Sequence, residues 1–168
     1  MSLRSASTQE LSRLYRTFRF SYDDRHLRFM PRLAEAIASM GAARVVFDSV
    51  AERLETADHL RCEIRKYENI DVPDFHLRVV WMPCDGGGRA ATRGLVKIGL
   101  PELVTPTTRG DHQAIVCEVL RLAGEQLWTT RTLPDAIRLS SYDDIFEVQI
   151  GSGRKGPLQA RIVRVPST

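Results

Sequence analysis

The segment from Cys84 to Arg89 holds the residue types that come closest to a ligand-binding loop in this 168-residue sequence. Three consecutive glycines follow Cys84 and Asp85, and successive glycines can present backbone amides to a phosphate while arginine supplies charge. The spacing is not that of a P-loop, GxxxxGKS or GxxxxGKT, and no lysine adjoins it. A hairpin connection explains the glycines equally well, because glycine adopts positive φ without a ligand. The ligand-loop interpretation uses Cys84, Asp85, Gly87 and Arg89.

Histidine and cysteine residues are dispersed along the sequence. No two of the four histidines have the i, i+4 spacing that places two imidazoles on one helical face, as a zinc site requires. Three widely spaced cysteines fit neither a disulfide framework nor a CxxC metal knuckle. A nucleophilic Cys84 would need a base within hydrogen-bond reach, and no motif supplies one. We therefore expect reduced thiols, no metal, no cofactor and no set of catalytic residues.

The first 41 residues combine arginines with aromatic rings. This mixture is typical of protein interfaces, and it is also typical of surfaces on which nucleic-acid bases stack. Burial of the rings in the domain core is the plain alternative. The residues that we expect to contact a protein partner are Arg16, Arg19, Phe20, Tyr22, Arg25, Arg28 and Phe29.

Basic residues are concentrated at the two ends of the chain. Residues 1–44 contain eight arginines and four acidic residues, and residues 152–168 contain four basic residues and no acidic one. If the termini meet in space, they form one positive face that could attract nucleic acid or an acidic protein. A nucleic-acid contact through the C-terminal segment would use Arg154, Lys155, Arg161 and Arg164.

Periodic apolar patterns predict the elements that would position these residues. A capping box at Ser7 precedes an apolar helical face at Leu11, Leu14, Tyr15 and Phe18, so we expect a helix over about 8–19. A second short helix should begin near Pro31 and end at Gly41. A strand over 43–47 should then lead into a helix that begins at Ser49.

Alternation of apolar and polar residues governs the middle of the chain. We expect a hairpin of strands over about 60–67 and 75–82, with a helix as the alternative for 60–67. Gly94 to Gly99 suggests a short strand, and a long helix should follow from about residue 112. Strands are then predicted over 136–139, 145–150 and 158–165, of which the last two form a hairpin. Together these elements predict one α+β domain over residues 1–168, a mixed and largely antiparallel sheet with helices packed on one face.

The segment Gly94 to Leu103 reads GLVKIGLPEL. This segment resembles the GLxxxGLPEL stretch of uncharacterised bacterial domains that accompany toxin and immunity systems. The resemblance covers about a tenth of the chain and implies a strand, a turn and a helix. It implies no catalytic residue and favours an interaction protein.

The absence of a long apolar run predicts that the chain neither spans a membrane nor carries a secretory signal, so we expect a cytoplasmic location. Missing catalytic motifs make a non-catalytic protein-binding or assembly module of a bacterial cell the leading hypothesis, such as an adaptor, an immunity-like protein or a complex subunit. A nucleic-acid-binding protein and a small enzyme with a glycine-loop site are the alternatives. Self-association into a homo-oligomer is compatible with each of these hypotheses.

Overall fold

The computed structural model describes residues 24–41, 43–67, 69–151 and 157–166. Its elements, in chain order, are α1 (Arg25–Gly41), β1 (Val45–Asp48), β2 (Arg53–Thr56), α2 (Ala57–Lys66), α3 (Pro73–His76), β3 (Arg78–Cys84), β4 (Gly87–Arg93), a 3₁₀ helix (Leu95–Ile98), β5 (Leu103–Val104), a second 3₁₀ turn (Gly110–His112), α4 (Gln113–Thr130), β6 (Ala136–Ser141), β7 (Asp144–Ile150) and β8 (Leu158–Val165). The helix expected over 8–19 lies outside the described residues.

A six-stranded sheet in the order β3-β4-β5-β8-β7-β6 forms the larger part of the fold. All neighbouring strands are antiparallel except β5 and β8, which pair in parallel. Helix α4 packs against this sheet through an apolar face that includes Val119, Leu120, Ala123 and Leu127, all fully buried. The predicted α+β class, the long helix, the last three strands and the terminal hairpin are confirmed.

The helix–ribbon unit, residues 25–76, forms the smaller part of the fold. It consists of α1, the antiparallel two-stranded ribbon β1–β2, α2 and α3. A separate apolar cluster of Leu60, Ile70 and Phe75 lies at its centre, and Val46 of the ribbon packs against that cluster. Within the described residues, the strands of the ribbon pair only with each other.

One prediction made for this unit is wrong, and one that left two alternatives open is decided. No helix begins at Ser49; instead residues 49–52 turn and β2 follows, because the Asp48 side chain accepts hydrogen bonds from the amides of Val50 and Ala51 and closes the turn. For residues 60–67, where a strand was expected and a helix was the alternative, the structure has helix α2. The Thr56 hydroxyl caps it by accepting from the His59 amide, and Leu60 and Ile64 face the apolar cluster one helical turn apart.

The expected partner of β3 is also different. Strand β3 pairs with β4, so the hairpin lies around the glycine-rich segment and not around Pro73. The segment expected as a strand at Gly94–Gly99 is the 3₁₀ helix Leu95–Ile98, since Gly94 and Gly99 adopt φ values of 116° and 78° at its two ends. The Glu102 carboxylate accepts from the amides of Gly94 (2.7 Å) and Val96 (3.3 Å), which satisfies free N–H groups at the helix start.

Candidate functional site

A cluster of buried polar residues lies where the helix–ribbon unit meets the main sheet. Lys97 of the 3₁₀ helix donates a hydrogen bond to the carboxylate of Asp48 at the end of β1. Its ammonium nitrogen also lies 3.3 Å from Nδ1 of His76 at the end of α3. The Lys97 side chain is 5% exposed, whereas that of Asp48 is 28% exposed. The cluster therefore meets water only through the carboxylate.

Burial keeps His76 neutral. Loss of water around the ring, reinforced by the charge of Lys97, lowers the pKa of His76 from its ordinary 6.5 to about 3. Because an ammonium group can only donate, Nδ1 accepts from Lys97 and the proton of the neutral ring sits on Nε2. Nε2 is buried, and the backbone of Ile70 and Leu27 offers the ring only weak hydrogen bonds. The ring also stacks on the indole of Trp128 in α4, with centroids 5.5 Å apart.

Burial also acts on Asp48, where it opposes ionisation. The charge and hydrogen bond of Lys97, together with the amides of Ala51 and Val50, outweigh that effect and hold the pKa of Asp48 below its ordinary value. Asp48 is thus a carboxylate at neutral pH. The pair Asp48–Lys97 is an ion pair within hydrogen-bonding distance, and one of its members reaches solvent.

Further hydrogen bonds cross the same junction. His26 of α1 contacts the carbonyl oxygen of Lys97 at 2.8 Å, and the Trp128 indole donates to the carbonyl of Asp71 at 2.9 Å. Arg78 of β3 donates to the carbonyl of Glu52 in the ribbon turn. The Lys97 ammonium and the His76 imidazole are buried and hydrogen-bonded to each other, so a substrate in solvent could reach only the Asp48 carboxylate. These hydrogen bonds join the helix–ribbon unit to the sheet.

Sequence reasoning did not identify this cluster. One signal was present: Lys97 is one of only three lysines and stands between Val96 and Ile98 in an otherwise apolar run. A lysine at such a position is buried only when it is paired. The sequence could not supply the identity of the partner, because Asp48 lies 49 positions away.

The glycine-rich segment forms a tight hairpin. Asp85 and Gly86 are its two turn residues, and Cys84 pairs with Gly87. The Gly88 amide, which a phosphate would need, donates to the carbonyl of Thr108 at 2.9 Å. A Cβ at Gly87 would overlap the Thr108 carbonyl, and a Cβ at Gly88 would overlap the Trp81 ring. The close approach of the Thr108 carbonyl to Gly87 and of the Trp81 ring to Gly88 thus accounts for both glycines without a ligand.

The other residues of the predicted ligand loop have separate contacts. The Arg89 guanidinium donates to the Thr107 hydroxyl at 3.2 Å, and the Cys84 thiol lies 3.9 Å from the same oxygen. Cys84 and Asp85 are exposed. The structure therefore brings Cys84 and Arg89 to one threonine, and no hydrogen bond within the described residues joins either of them to a histidine.

The residues predicted for nucleic-acid contact are divided. Arg154 and Lys155 lie outside the described residues. Arg161 is an exposed residue of β8, and Arg164 of the same strand forms an ion pair with Asp144 at 2.5 Å. That pairing neutralises part of the positive charge that a phosphate backbone would require.

Three of the predicted partner-contacting residues lie on α1, and the other four precede the described residues. Arg25 and Arg28 are exposed, and Arg28 is held by Asp71 in an ion pair of 2.7 Å. Phe29 is 60% exposed. Phe29, one of the aromatic residues expected to contact a partner, therefore lies at the surface.

Phe29 is one of several exposed apolar side chains in the helix–ribbon unit. The flank of α1 carries what we term the α1 strip, four side chains between 37% and 83% exposed: Phe29, Leu33, Ile37 and Met40. The outer face of the ribbon carries what we term the ribbon face, three side chains between 56% and 66% exposed: Val45, Phe47 and Leu54. Phe47 and Leu54 are direct cross-strand neighbours. Of the eleven large apolar side chains that are exposed in the described residues, seven lie within residues 29–54.

Comparison with protein-family models, with curated proteins and with solved structures finds no match for this chain. No helix within residues 24–41, 43–67, 69–151 and 157–166 combines the length and apolar character needed to cross a bilayer. Across the same residues, no group of three or more His, Cys, Asp or Glu side chains is placed to hold a metal ion.

Proposed function

We propose that this chain is a protein-binding module and that the α1 strip and the ribbon face form its binding surface. The observation that carries the proposal is the concentration of exposed apolar side chains in residues 29–54. Scattered exposed apolar residues are ordinary, but groups of neighbours, such as the four along one side of α1 and the cross-strand pair Phe47 and Leu54, are typical of an interaction site. The resemblance of the GLVKIGLPEL segment favours the same class of protein.

The chemistry of the surface suggests an apolar contact with a polar rim. Phe29, Phe47 and Met40 are residue types enriched at interfaces. Arg25 and Arg28 lie on the same helix as the strip and would stand at its edge. An arginine at the rim steers a partner and adds specificity, whereas the apolar centre supplies most of the affinity.

The ribbon face allows a direct test. We would replace Phe47 with Glu and Leu54 with Lys, which removes two apolar contacts while leaving opposite charges as cross-strand neighbours. The matched control replaces Leu133 with Glu and Val96 with Lys, two exposed apolar residues outside the surface. Both double variants change the net charge by zero, so a difference between them reports position and not charge.

Tagged wild type and both variants would be used to capture proteins from lysate of the source cell, with and without nuclease treatment. Quantitative mass spectrometry then identifies the captured proteins. We expect the ribbon variant to lose its specific partner at least about tenfold, a loss of about 1.4 kcal/mol, whereas the control retains it. Equal capture by the two variants would contradict the proposal. Capture that disappears on nuclease treatment would instead favour the nucleic-acid alternative.

A further inference from the structure

The six-stranded sheet has two faces, and α4 packs on one of them, the face that carries Val79, Trp81 and Val148. Side chains alternate between the faces of a strand, and residues that pair across strands share a face. The pairing therefore extends the opposite face from β3 to β6. On β6, β7 and β8 every side chain of that opposite face is exposed or half-exposed. We call it the open face, and its charged residues are Arg78, Arg89, Arg93, Arg138, Glu147 and Arg161.

The open face is strongly biased towards positive charge. Exposed faces of proteins ordinarily mix both signs, and opposite charges that pair across strands stabilise a sheet. The one acidic residue among the strand residues of this face, Glu147, forms an ion pair of 3.6 Å with Arg138 on the edge strand β6. Arg78 and Arg93 are direct cross-strand neighbours of like charge, and both contact Glu52 of the ribbon turn. The available carboxylates thus compensate arginines at the rim of the face and leave its centre positive.

Two arginines at the centre of the open face have no carboxylate partner within the described residues. The Arg89 guanidinium on β4 donates to a neutral group, the Thr107 hydroxyl, at 3.2 Å. Arg161 on β8 is exposed, and its cross-strand neighbour on β7 is the uncharged Gln149. Both guanidinium groups therefore keep donors that a carboxylate from outside the domain could use.

The strand register places these two arginines side by side. Val104 of β5 pairs with Ala91 on β4 and with Gln159 on β8. Because β4 runs antiparallel to β5 and β8 runs parallel to it, Arg89 and Arg161 both lie two residues beyond that row, in the same direction. They are two strands apart, so their backbone positions are separated by roughly 10 Å.

We propose that the open face binds an acidic segment of a partner protein, in which Arg89 and Arg161 each hold a carboxylate. A guanidinium donates two parallel hydrogen bonds to a carboxylate, and a field of one sign raises the local concentration of an oppositely charged partner. Half-buried apolar side chains, Met82 and Val163, adjoin the two arginines and suit a segment that carries apolar residues among its acids. The open face is separate from the α1 strip and the ribbon face, so this inference goes beyond the proposed function.

The residue types of the open face favour an acidic protein segment over single-stranded nucleic acid. Proteins that bind single strands combine positive charge with aromatic rings on which the bases stack. Among the described strand residues of the open face there is no Phe, Tyr, Trp or His. The sheet rings of Trp81 and Phe146 lie on the other face, where they belong to the core beneath α4.

Fluorescence anisotropy with defined probes tests the class of partner. The probe is a labelled twelve-residue peptide of alternating Glu and Val, and the comparison probes are the same peptide with Gln for Glu and a twelve-nucleotide oligothymidylate. We expect the acidic peptide to bind at low salt, at least about tenfold more tightly than the Gln peptide, and to weaken as salt screens the charges. Absence of binding by the acidic peptide, or tighter binding of the oligothymidylate, would overturn the proposal.

Charge removal at the two central arginines tests the location. We expect Arg89→Gln with Arg161→Gln to weaken binding of the acidic peptide at least about tenfold. The matched control, Arg32→Gln with Arg65→Gln, removes the same charge from two exposed positions of the helix–ribbon unit and should bind as the unmodified chain does. Arg89→Lys with Arg161→Lys keeps the charge and should recover part of the lost affinity. An equal loss in the control, or no recovery with lysine, would contradict the proposal.

A further variant separates this proposal from the proposed function. Phe47→Glu with Leu54→Lys alters the ribbon face and leaves the net charge unchanged, so it should bind the acidic peptide as tightly as the unmodified chain. Loss of peptide binding in this variant would place the acidic segment on the ribbon face and overturn its assignment to the open face. Unchanged peptide binding supports the assignment, whatever the result of partner capture by the ribbon face.

Discussion

The ammonium group of Lys97 lies against the carboxylate of Asp48, and the two members of this pair differ in their access to water. Only 5% of the Lys97 side chain is exposed, compared with 28% of the Asp48 side chain. Asp48 also accepts two backbone amides of the ribbon turn, whereas Lys97 shares its ammonium only with Asp48 and His76 among the hydrogen bonds of the described residues. Lys97 therefore needs Asp48 to compensate its buried charge, whereas Asp48 without Lys97 still has water and two amides as partners.

Removal of Asp48 should cost more stability than removal of Lys97. Asp48→Ala leaves a buried, unpaired ammonium and two uncapped amides, so we expect the free energy of unfolding to fall by about 3 kcal/mol. Lys97→Met keeps the apolar stem and leaves a carboxylate that reaches water and retains both amides, so only the hydrogen bond to Nδ1 of His76 is lost without replacement and the loss should be about 1.5 kcal/mol. Urea unfolding of the two variants measures both values. Equal losses, or a larger loss for Lys97→Met, would refute the asymmetry.

The His76 ring should make stability depend on pH. Its pKa is about 3 in the folded chain, below the ordinary 6.5 that applies after unfolding. Between these values the unfolded chain binds the extra proton, so stability is complete above pH 6.5 and declines as pH falls towards 3, by at most about 1.4 kcal/mol per pH unit. The lowered pKa of Asp48 adds a further loss only below about 3.8.

Urea unfolding at pH 7 and pH 5 in His76→Gln isolates this contribution. We expect the variant to lose most of the difference between the two pH values, because glutamine can accept from Lys97 but does not titrate. His59→Gln is the matched control, since His59 is 53% exposed. A pH dependence that survives in His76→Gln would show that another group is responsible.

The glycines at the two ends of the 3₁₀ helix should respond differently to alanine. A Cβ at Gly94, where φ is 116°, would overlap the His76 carbonyl, whereas a Cβ at Gly99, where φ is 78°, meets no atom within 4 Å. We therefore expect Gly99→Ala to cost about 1 kcal/mol from backbone strain alone, and Gly94→Ala to cost about 3 kcal/mol or more because the junction beside His76 must shift. Thermal unfolding of the two variants checks the order. Similar melting temperatures would mean that the close approach at Gly94 is unimportant.

Reactivity of the thiols should follow exposure and not catalytic activation. Cys62 and Cys84 are exposed, whereas Cys117 is half-buried and burial raises its pKa. An aromatic disulfide reagent at pH 7.5 should therefore label two thiols rapidly and the third at least about tenfold more slowly. Cys62→Ser should leave one fast thiol. A single fast thiol at Cys84 in the unmodified chain would instead revive the small-enzyme hypothesis.

The spacing of apolar residues is sufficient to predict those helices and strands that have a long periodic pattern and clear ends. Helix α4 and the strands β6, β7 and β8 were predicted within a few residues, because each buries one face against a single core. The α+β class follows from these elements. For α2 the pattern was ambiguous, since Leu60 and Ile64 suit both the alternation of a strand and one turn of a helix. In the structure the Thr56 hydroxyl accepts a hydrogen bond from the His59 amide, and this N-cap is a feature of a helix and not of a strand.

By itself the sequence thus determined the class of fold, the main helix and the terminal hairpin, because those features depend on patterns between neighbouring residues. Only the tertiary structure decided that Lys97 meets Asp48 and His76, that Gly88 lies under the Trp81 ring, and that Phe47 and Leu54 form an outward apolar pair. These contacts join residues that are far apart in the chain or depend on which face of a strand is covered. Such information arises when elements pack, and no local pattern contains it.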